Sequence, residues 1–399
     1  MSGRVSSVAV GAPGEPYGGT LVDRLLAEEK ATRLADELRE SPSLDLFPDF
    51  AYDAEKLGIG AYSPLEGFMD ERAFTSVVSE ERLPSGLPWT IPVVLAPSGE
   101  KNDGVVRAAA EGDDIALRDP AGSIFAVLRL EQKFTLDKDS FASKVYGTSD
   151  VNHPNVADIQ QRYGGTALAG RIDLLERRQW LSGWTEPTPK EMRAEFKARG
   201  WRNVVAYQCR NPPHSAHEYL QRCALEAAEV DGLLIHPVVG RLKKGDYRPE
   251  VIMQAYGAAV GKYYRKDRVM LSPLSITMRY AGPKAALFLA IVRKNYGATH
   301  YIVGRDQAGV GKYYEPYACH RIFDKHNVGI APLRYTESFY CRSCGSMATG
   351  KTCPHPESDH LSTSQTMIRE KLARGESLPI EVLRPEVAAV LAKPDVILA

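Results

Sequence analysis

The sequence is poor in cysteine for its length, and it carries no excess charge of either sign. Six cysteines among 399 residues are too few for a disulfide framework. Basic and acidic residues number 50 each, so the formal net charge is zero. Without a basic field we expect no nucleic-acid partner, and without an acidic surplus we expect no basic protein partner.

Long apolar runs are also absent from the sequence. The N-terminal region has no continuous apolar segment of the kind found in secretory signals. No stretch reaches the roughly 20 apolar residues that span a membrane. The sequence therefore predicts a cytoplasmic protein with no membrane partner, and its length suggests two or three domains.

The first half of the chain has one amphipathic helix followed by short strand patterns. Apolar residues recur at helical spacing over residues 21–38. Strands are predicted at residues 89–95, 105–110, 115–117 and 124–130. The sequence D-P-A-G at residues 119–122 is typical of a hairpin turn. Short strands joined in this way favour a small barrel.

Strand and helix patterns alternate after a change of composition at residues 184–189, where we place a domain boundary. Thr188 and Glu191 form a capping-box pattern, and the helix that it starts is expected to end at Gly200. Further strands are predicted at residues 204–207, 232–239, 268–271 and 300–303. Helices are predicted from His217 and at residues 249–264 and 283–296. This alternation predicts a doubly wound parallel sheet.

The stretch V-V-A-Y-Q-C-R-N-P-P-H-S-A-H-E, residues 204–218, concentrates polar side chains at the end of a predicted buried strand. Pro212 and Pro213 end the strand and preset the backbone for a helix. In open α/β sheets, ligands bind beyond the carboxyl ends of the strands. We therefore place the candidate site in this turn.

Five side chains in this turn suit an anion with several oxygens. They are Gln208, Arg210, Asn211, His214 and His217. Arg210 offers a forked, permanent charge, and the free amides of a helix start also attract anions. A lone histidine here is more often structural. Two histidines three residues apart, beside an arginine, favour binding of a polyphosphate.

Two further loops follow predicted strands and contain glycine. Residues 240–246, G-R-L-K-K-G-D, form a short basic loop that is either solvated or turned toward phosphate, and the sequence leaves both open. Residues 304–311, G-R-D-Q-A-G-V-G, place Arg305 on the same carboxyl-end face as Arg210, and glycine lets backbone amides approach a ligand. Neither G-x-G-x-x-G nor a Walker lysine motif occurs, so neither a dinucleotide fold nor a P-loop kinase is indicated.

A cluster of cysteine and histidine near the end of the chain has the spacing of a structural zinc site. Cys341 and Cys344 form C-x-x-C, and Cys353, His355 and His360 follow. The spacing leaves the fourth ligand open between His355 and His360, and we favour His360, because His355 lies only two residues from Cys353 and a shared chelate would be strained. Zinc bound in this way stabilises the local fold and carries no reacting water.

Several motifs resemble those of the ATP sulfurylases (sulfate adenylyltransferases) of the single-function bacterial and archaeal kind. They are Q-C-R-N-P-P-H-S-A-H at 208–217, L-K-K-G-D at 242–246, M-R-Y-A-G-P-K at 278–284 and G-R-D-Q-A-G at 304–309. Y-S-P-L-E-G-F-M at 62–69 resembles the family's N-terminal domain, and C-R-S-C with Cys353 resembles its zinc-bearing branch.

The resemblance implies an α/β protein of three domains. These are a β-rich PUA-like domain at residues 1–186, a Rossmann-like catalytic domain with a doubly wound parallel sheet at 187–333, and a small zinc-bearing α/β domain at 334–399. It also implies a homodimer or a larger homo-oligomer. No kinase-like segment follows the third domain, so we do not expect a fused adenylylsulfate kinase.

The resemblance further implies the reaction and the roles of the site residues. ATP and sulfate, with Mg²⁺, give adenosine 5′-phosphosulfate and pyrophosphate, as the first step of sulfate activation or in reverse during sulfur oxidation. Sulfate is held by Gln208, Arg210 and the backbone amide of Ala308. ATP is bound by Gln208, Asn211, His214, His217, Gly304, Arg305, Asp306 and Gln307. The catalytic residues are Arg210, Asn211, His214, His217 and Cys209.

Two positions depart from the family pattern. Cys209 stands where threonine is usual, and Gln307 stands where histidine is usual. Cysteine is a weaker donor than a hydroxyl, and glutamine is never a cation. The thiol at position 209 also suggests sensitivity to thiol reagents.

The chemistry of the two reactants agrees with this resemblance. Sulfate is fully ionised at neutral pH and needs no general base, so the protein has to bring two anions together and align the attacking oxygen with the α-phosphorus. Charge grows on the leaving pyrophosphate, where His214, His217 and Mg²⁺ stabilise it. We expect neither a nucleophilic residue nor a covalent intermediate.

Two other functions stay open at this point. Another nucleotidylyltransferase of the H-x-x-H superfamily shares the histidines but does not need Gln208 and Arg210 so close together. An RNA-binding protein can contain a PUA-like barrel and a zinc knuckle, but the neutral charge and the lack of a basic face count against it.

Overall fold

Three β-sheets and the helices between them organise the chain. The structure is a computed structural model that describes residues 11–12, 14–361, 363 and 365–398. No helix among these residues is both long enough and apolar enough to cross a membrane.

The N-terminal part is built on a mixed five-stranded sheet of order β1-β3-β4-β5-β2. Its strands are β1 Ser43–Asp45, β2 Gly67–Phe68, β3 Asp114–Arg118, β4 Ile124–Thr135 and β5 Thr166–Leu174. Its helices are α1 Glu28–Glu37, α2 Pro48–Gly58, α3 Glu71–Glu80, α4 Glu100–Ala108, α5 Lys138–Ser140 and α6 Pro154–Arg162. β1 is parallel to β3, and the other neighbouring strands are antiparallel.

The hairpin predicted at residues 119–122 is confirmed. It joins β3 to β4, and Asp119 stabilises it because its Oδ1 accepts hydrogen bonds from the N–H groups of Ala121 and Ser123, both at 2.9 Å. Gly122 has a φ of +88°, a left-handed conformation that glycine adopts without strain.

Two strand predictions for the N-terminal part were wrong. Residues 105–108 belong to α4, because Asn102 of this helix hydrogen-bonds both backbone groups of Asp45 and so covers the end of β1. Residues 89–95 are buried but irregular, and only Leu95 bridges to a strand. Pro92 lies inside this run and has no N–H to donate to a ladder.

The predicted N-terminal helix is shorter than expected. It begins at Glu28 and not at residue 21, because the preceding backbone hydrogen-bonds β5 and the end of α2. The N–H of Leu26 donates to the carbonyl of Leu174 at 2.9 Å, and the N–H of Arg24 donates to the carbonyl of Gly58 at 2.8 Å. These long-range bonds outweigh the helical periodicity of residues 21–27.

The doubly wound parallel sheet predicted for the second half is confirmed. Its order is β10-β9-β6-β7-β8, and all neighbouring strands are parallel. The strands are β6 Val204–Cys209, β7 Gly232–Pro237, β8 Val269–Leu271, β9 His300–Val303 and β10 Ala331–Arg334. The helices are α7 Pro189–Ala198, α8 Ser215–Leu225, α9 Pro249–Tyr263, α10 Pro283–Asn295 and α11 Ala318–Lys325. Thr188 and Glu191 form the predicted capping box at the start of α7.

The direction of this sheet's winding reverses between β6 and β9. From β6 the chain moves outward through β7 to β8, and it then returns to the other side of β6 to form β9 and β10. The loops that follow β6 and β9 therefore leave the sheet side by side. This is the position at which doubly wound sheets bind their ligands.

The C-terminal part adds a small antiparallel sheet of order β12-β11-β13. Its elements are β11 Ser338–Cys341, β12 Ser346–Thr349, β13 His360–Leu361, α12 Gln365–Ala373 and α13 Pro385–Leu391. Arg384 next to α13 pairs with the buried Glu218 of α8 at 3.0 Å, and Glu386 of α13 pairs with Lys262 of α9. The domain limits at residues 186 and 333 stay a prediction.

Candidate active site

One large cavity of about 1010 Å³ lies between the loops after β6 and β9. It is lined by all the residues predicted to bind the two substrates, namely Gln208, Cys209, Arg210, Asn211, His214, His217, Gly304, Arg305, Asp306, Gln307 and Ala308. A further wall comes from the C-terminal sheet and includes Phe339, Lys351 and His360. Arg305 reaches this wall, where its Nε lies 3.5 Å from Glu337.

Arg210 is held by three contacts at the side of the cavity. Its Nη1 donates to Asp246 Oδ1 at 3.2 Å, and its Nη2 donates to the carbonyl of Gly309 at 3.3 Å. Its guanidinium carbon lies 5.2 Å from the ring centre of Tyr280. The side chain is still 22% exposed, so an anion in the cavity has access to it.

Gln307 connects the two loops through its side-chain amide. Its Nε2 donates to the Tyr301 hydroxyl at 2.7 Å and to Gln208 Oε1 at 3.4 Å, and its Oε1 accepts from the N–H of Gly304 at 3.2 Å. Gln307 therefore orients Gln208 without adding charge to the site.

The imidazoles of His214 and His217 are stacked, with ring centres 3.8 Å apart and planes inclined by 25°. Both Nδ1 atoms are buried, and neither has a hydrogen-bond partner within the described part of the chain. Burial lowers the pKa of His214 well below its usual value, and His217 lowers it further. Burial also lowers the pKa of His217 to about 4, opposed by a hydrogen bond with the backbone of Pro212. Both rings are therefore neutral at neutral pH.

The loop after β9 has an unusual backbone. Asp306 and Ala308 have φ values of +49° and +60°, which residues with side chains adopt rarely and which are frequent at ligand-binding sites. A Cβ at Gly309 would lie 2.1 Å from Asp306 Oδ1, so a larger residue there would displace the Asp306 carboxylate. Burial raises the pKa of Asp306, and Arg305 and Arg210 oppose this change.

Cys209 differs from the other predicted catalytic residues. Its thiol is 6% exposed and lies beside Tyr256 of α9. Burial raises the pKa of this thiol to about 12. The thiol is therefore protonated at neutral pH, and this disfavours the expected sensitivity to thiol reagents, which react with the thiolate.

Sequence reasoning missed two residues that support Arg210. Asp246 and Tyr280 lie behind the guanidinium, and neither lines the cavity. Both belong to motifs that carried the family resemblance, L-K-K-G-D and M-R-Y-A-G-P-K, and that was the available signal. The loop at residues 240–246, whose role was left open, holds Asp246 only 1% exposed.

Four residues of the predicted metal site lie close enough together to hold a metal ion, and they include His355 and not His360. Cys341, Cys344, Cys353 and His355 place their ligand atoms within 4.8 Å of one another. His355 Nδ1 lies 3.5, 3.2 and 3.7 Å from the three sulfurs in that order. Separations of about 3.5 to 4 Å are those of tetrahedral zinc with Zn–S near 2.3 Å, so these residues fit the ion.

His360 is not part of this group of ligands, contrary to our expectation. Its ring stacks on Phe339 with centres 3.7 Å apart, and its Nε2 approaches Cys353 Sγ at 3.6 Å. The chain turns at Pro354 so that the N–H of His355 donates to Cys353 Sγ at 3.4 Å. This turn brings the imidazole back over the cysteines, and the short spacing causes no conflict.

Comparisons with known proteins agree with this geometry. Residues 185–394 match the family model described as ATP-sulfurylase, and residues 14–177 match that of the PUA-like domain. The sulfate adenylyltransferase of Symbiobacterium thermophilum is 46% identical over 379 residues, which cover 94% of this chain and 95% of that one. The sulfate adenylyltransferase of Aeropyrum pernix is 47% identical over 384 residues, which cover 95% and 98%.

A solved structure extends this similarity to the whole architecture. The hexameric APS kinase from Thiobacillus denitrificans matches with a TM-score of 0.73 and 26% identity, over 94% of this chain and 67% of that one. The family model for ATP-sulfurylase spans the parallel sheet, both cavity loops and the metal cluster. The chain therefore belongs to the ATP-sulfurylase family and carries a PUA-like domain at its N-terminal end.

Proposed function

We propose that this cavity transfers the adenylyl group of ATP to sulfate, giving adenosine 5′-phosphosulfate and pyrophosphate in a reversible reaction. Family membership supports an enzyme of the sulfate adenylyltransferase kind. The observation that carries the proposal is that Arg210 and the paired imidazoles of His214 and His217 line the same cavity, at the reversal point of the sheet.

The proposed reaction needs positioning and charge stabilisation. A sulfate oxygen forms a bond to the α-phosphorus, and the bond from that phosphorus to the bridging oxygen of pyrophosphate breaks. Arg210, Gln208 and the amide of Ala308 hold sulfate, because they border the cavity on one side and each offers an N–H donor; the acceptor oxygen of Gln208 faces Gln307. No proton has to leave sulfate, so no general base and no covalent intermediate are required.

His214 and His217 are assigned to the phosphates of ATP. The neutral ring of His214 lines the cavity, and its single N–H can donate a hydrogen bond to a phosphate oxygen. The single N–H of neutral His217 is directed to the backbone of Pro212, so this ring contributes by stacking on His214. The donor on His214 stabilises the charge that develops on pyrophosphate as it leaves. Asn211 and the backbone from Gly304 to Gln307 complete the nucleotide site.

Three further assignments accompany this function. We propose that ATP enters with Mg²⁺, and that Cys341, Cys344, Cys353 and His355 hold a structural Zn²⁺. We also propose a cytoplasmic homo-oligomer, since none of the six cysteines forms a disulfide and the relatives include a hexameric protein.

The direct test measures pyrophosphate release from ATP with sulfate, with molybdate and with neither. We expect release with both oxyanions and none without them. With molybdate the adenylyl product hydrolyses at once, so release continues without accumulation of a stable product. Oxyanion-independent release, or the use of another acceptor in place of sulfate, would favour a different nucleotidylyltransferase.

A second test removes the guanidinium. Arg210→Ala is expected to lower kcat/KM for sulfate by about 10³-fold, the size of effect seen when one charge-stabilising donor is lost. Stability should change little, because Asp246 keeps Lys243 and Tyr280 as partners. Arg210→Lys is the matched variant. It retains the charge but loses the paired N–H donors of the guanidinium, and kcat/KM for sulfate should fall less than in Arg210→Ala. A large fall in the melting temperature would make Arg210 structural.

A further inference from the structure

A buried carboxylate lies directly behind the guanidinium that faces the cavity. Given the proposed function, on which this inference rests, we propose that Asp246 is a positioning residue for sulfate. It acts by fixing Arg210 in the orientation that receives the anion.

Three donors satisfy the carboxylate of Asp246. Its Oδ1 accepts from Arg210 Nη1 at 3.2 Å and lies 3.0 Å from Lys243 Nζ. Its Oδ2 accepts from the Tyr280 hydroxyl at 2.7 Å. Asp246 is 1% exposed, so its charge is compensated by these three groups and not by water.

The same contacts define the orientation of Arg210. Its Nη1 is bound to Asp246, its Nη2 is bound to Gly309, and its guanidinium carbon lies over the ring of Tyr280. Tyr280 is itself held on its other side, because its oxygen accepts from the N–H of Lys243 at 3.1 Å. A flexible arginine is thereby restricted before sulfate arrives, which lowers the entropic cost of binding.

The loop that carries Asp246 is fixed from outside the site. Asp246 N–H donates to the carbonyl of Lys243 at 3.1 Å, and Gly245 supplies the φ of +84° that this turn needs. The segment 396–398 pairs with the loop, since Leu398 N–H donates to the carbonyl of Asp246 at 2.9 Å and Gly245 N–H donates to that of Leu398 at 3.0 Å. Asp246 is therefore rigid in the absence of ligand.

A carboxylate close to an anion site has two opposite consequences. Asp246 helps sulfate by orienting Arg210, but its negative charge also repels sulfate and competes for the guanidinium. Lys243 decides the balance, because two positive charges surround one negative charge and leave the group with a net positive charge. The positioning effect is therefore expected to exceed the repulsion.

The two effects predict opposite signs for Asp246→Asn. If Asp246 positions Arg210, this variant should raise the KM for sulfate by about tenfold or more, with the KM for ATP within about twofold of the wild type. If Asp246 mainly repels sulfate and competes with it for Arg210, the KM for sulfate should fall, and the proposal is overturned. An unchanged sulfate KM overturns it as well. Asp173→Asn, which removes a carboxylate paired with Arg24 and Arg129 in the N-terminal sheet, is the matched control and should leave both KM values unchanged.

Tyr280→Phe keeps the test decisive if Asp246→Asn does not fold. This variant removes one hydroxyl and leaves the ring beneath Arg210, so a smaller rise in the KM for sulfate is expected. An unchanged KM for sulfate in Tyr280→Phe would contradict the proposal. Where Asp246→Asn folds, the change in sulfate KM in the double variant should be smaller than the two separate changes combined, because both residues act through Arg210. Full additivity in the double variant would contradict the proposal. A wild-type protein that shows no sulfate-dependent pyrophosphate release would instead contradict the proposed function itself.

Discussion

At the scale of the residue, the site contains both a charged side chain and buried histidines that are neutral. Arg210 carries a permanent charge, which Asp246 and contact with the cavity compensate. His214 and His217 have no such partner in the described structure and become neutral through burial. The cavity thus offers a permanent charge at one place and neutral donors at another.

The neutral histidines predict that stability falls in mild acid. The pKa of His217 is about 4 in the folded chain and 6.5 is its ordinary value, so the unfolded chain binds more protons between these limits. The free energy of unfolding should therefore decrease as the pH falls from 6.5 toward 4, by about 2 to 3 kcal/mol for His217. Urea unfolding of the ligand-free protein at several pH values measures this decrease.

The control for this prediction is His217→Gln, which keeps a polar side chain that does not titrate. The variant should show a shallower dependence on pH over the same interval. A wild type and a variant with parallel pH profiles would show that His217 is already solvated in the folded chain.

At the scale of the element, the C-terminal sheet joins the metal cluster to the cavity. β11 carries Phe339 on the cavity wall and ends at Cys341, while β13 begins at His360. The strands are only two to four residues long, so hydrogen bonding alone gives little stability. We therefore expect the metal to determine whether this wall forms.

The zinc assignment predicts different outcomes for two neighbouring histidines. The wild type should contain about one zinc per chain, and His355→Ala should lose most of it because only three ligands remain. His360→Ala is the matched variant and should retain the metal, because His360 stacks on Phe339. Elemental analysis after dialysis against a weak chelator measures both. Loss of zinc from His360→Ala alone would restore our original choice of ligand.

At the scale of the whole molecule, a buried network of charges joins the N-terminal part to the catalytic sheet. Lys56 of α2 is fully buried, and its Nζ lies 2.8 Å from Glu55 and 2.7 Å from Glu186. Glu186 precedes α7 and also accepts from the N–H of Ser275 at 3.0 Å. Lys56 is the cation that pairs with both carboxylates, and their other partners, such as Trp180 and Tyr296, are neutral donors.

Lys56→Met should therefore destabilise the protein strongly. The substitution keeps the volume but leaves Glu55 and Glu186 buried without their cation, which costs about 3 to 5 kcal/mol. Lys101→Met is the matched control, since Lys101 pairs with Asp45 at 2.7 Å on the surface and its loss should cost less than about 1 kcal/mol. Urea unfolding midpoints of the two variants give the comparison. Equal midpoints would show that the buried network contributes no more to the free energy of unfolding than a surface ion pair does.

Much of the fold was accessible from local patterns. The capping box of Thr188, the hairpin at Asp119 and the strands and helices between residues 189 and 303 all depend on residues close in sequence. The errors occurred where long-range bonds outweighed local preference. Residues 24–26 pair with the N-terminal part instead of extending α1, and Asn102 makes α4 the neighbour of β1.

The candidate site shows the same division. The sequence by itself determined which loops meet, because parallel strands bring their carboxyl ends to one edge, and it determined the residue types that bind anions. Only the tertiary structure decided that Asp246 supports Arg210, that Cys209 is buried beside α9, and that His355 lies closer than His360 to the three cysteines as a group. These facts depend on the paths of loops and on packing between distant segments. No local periodicity or spacing encodes them.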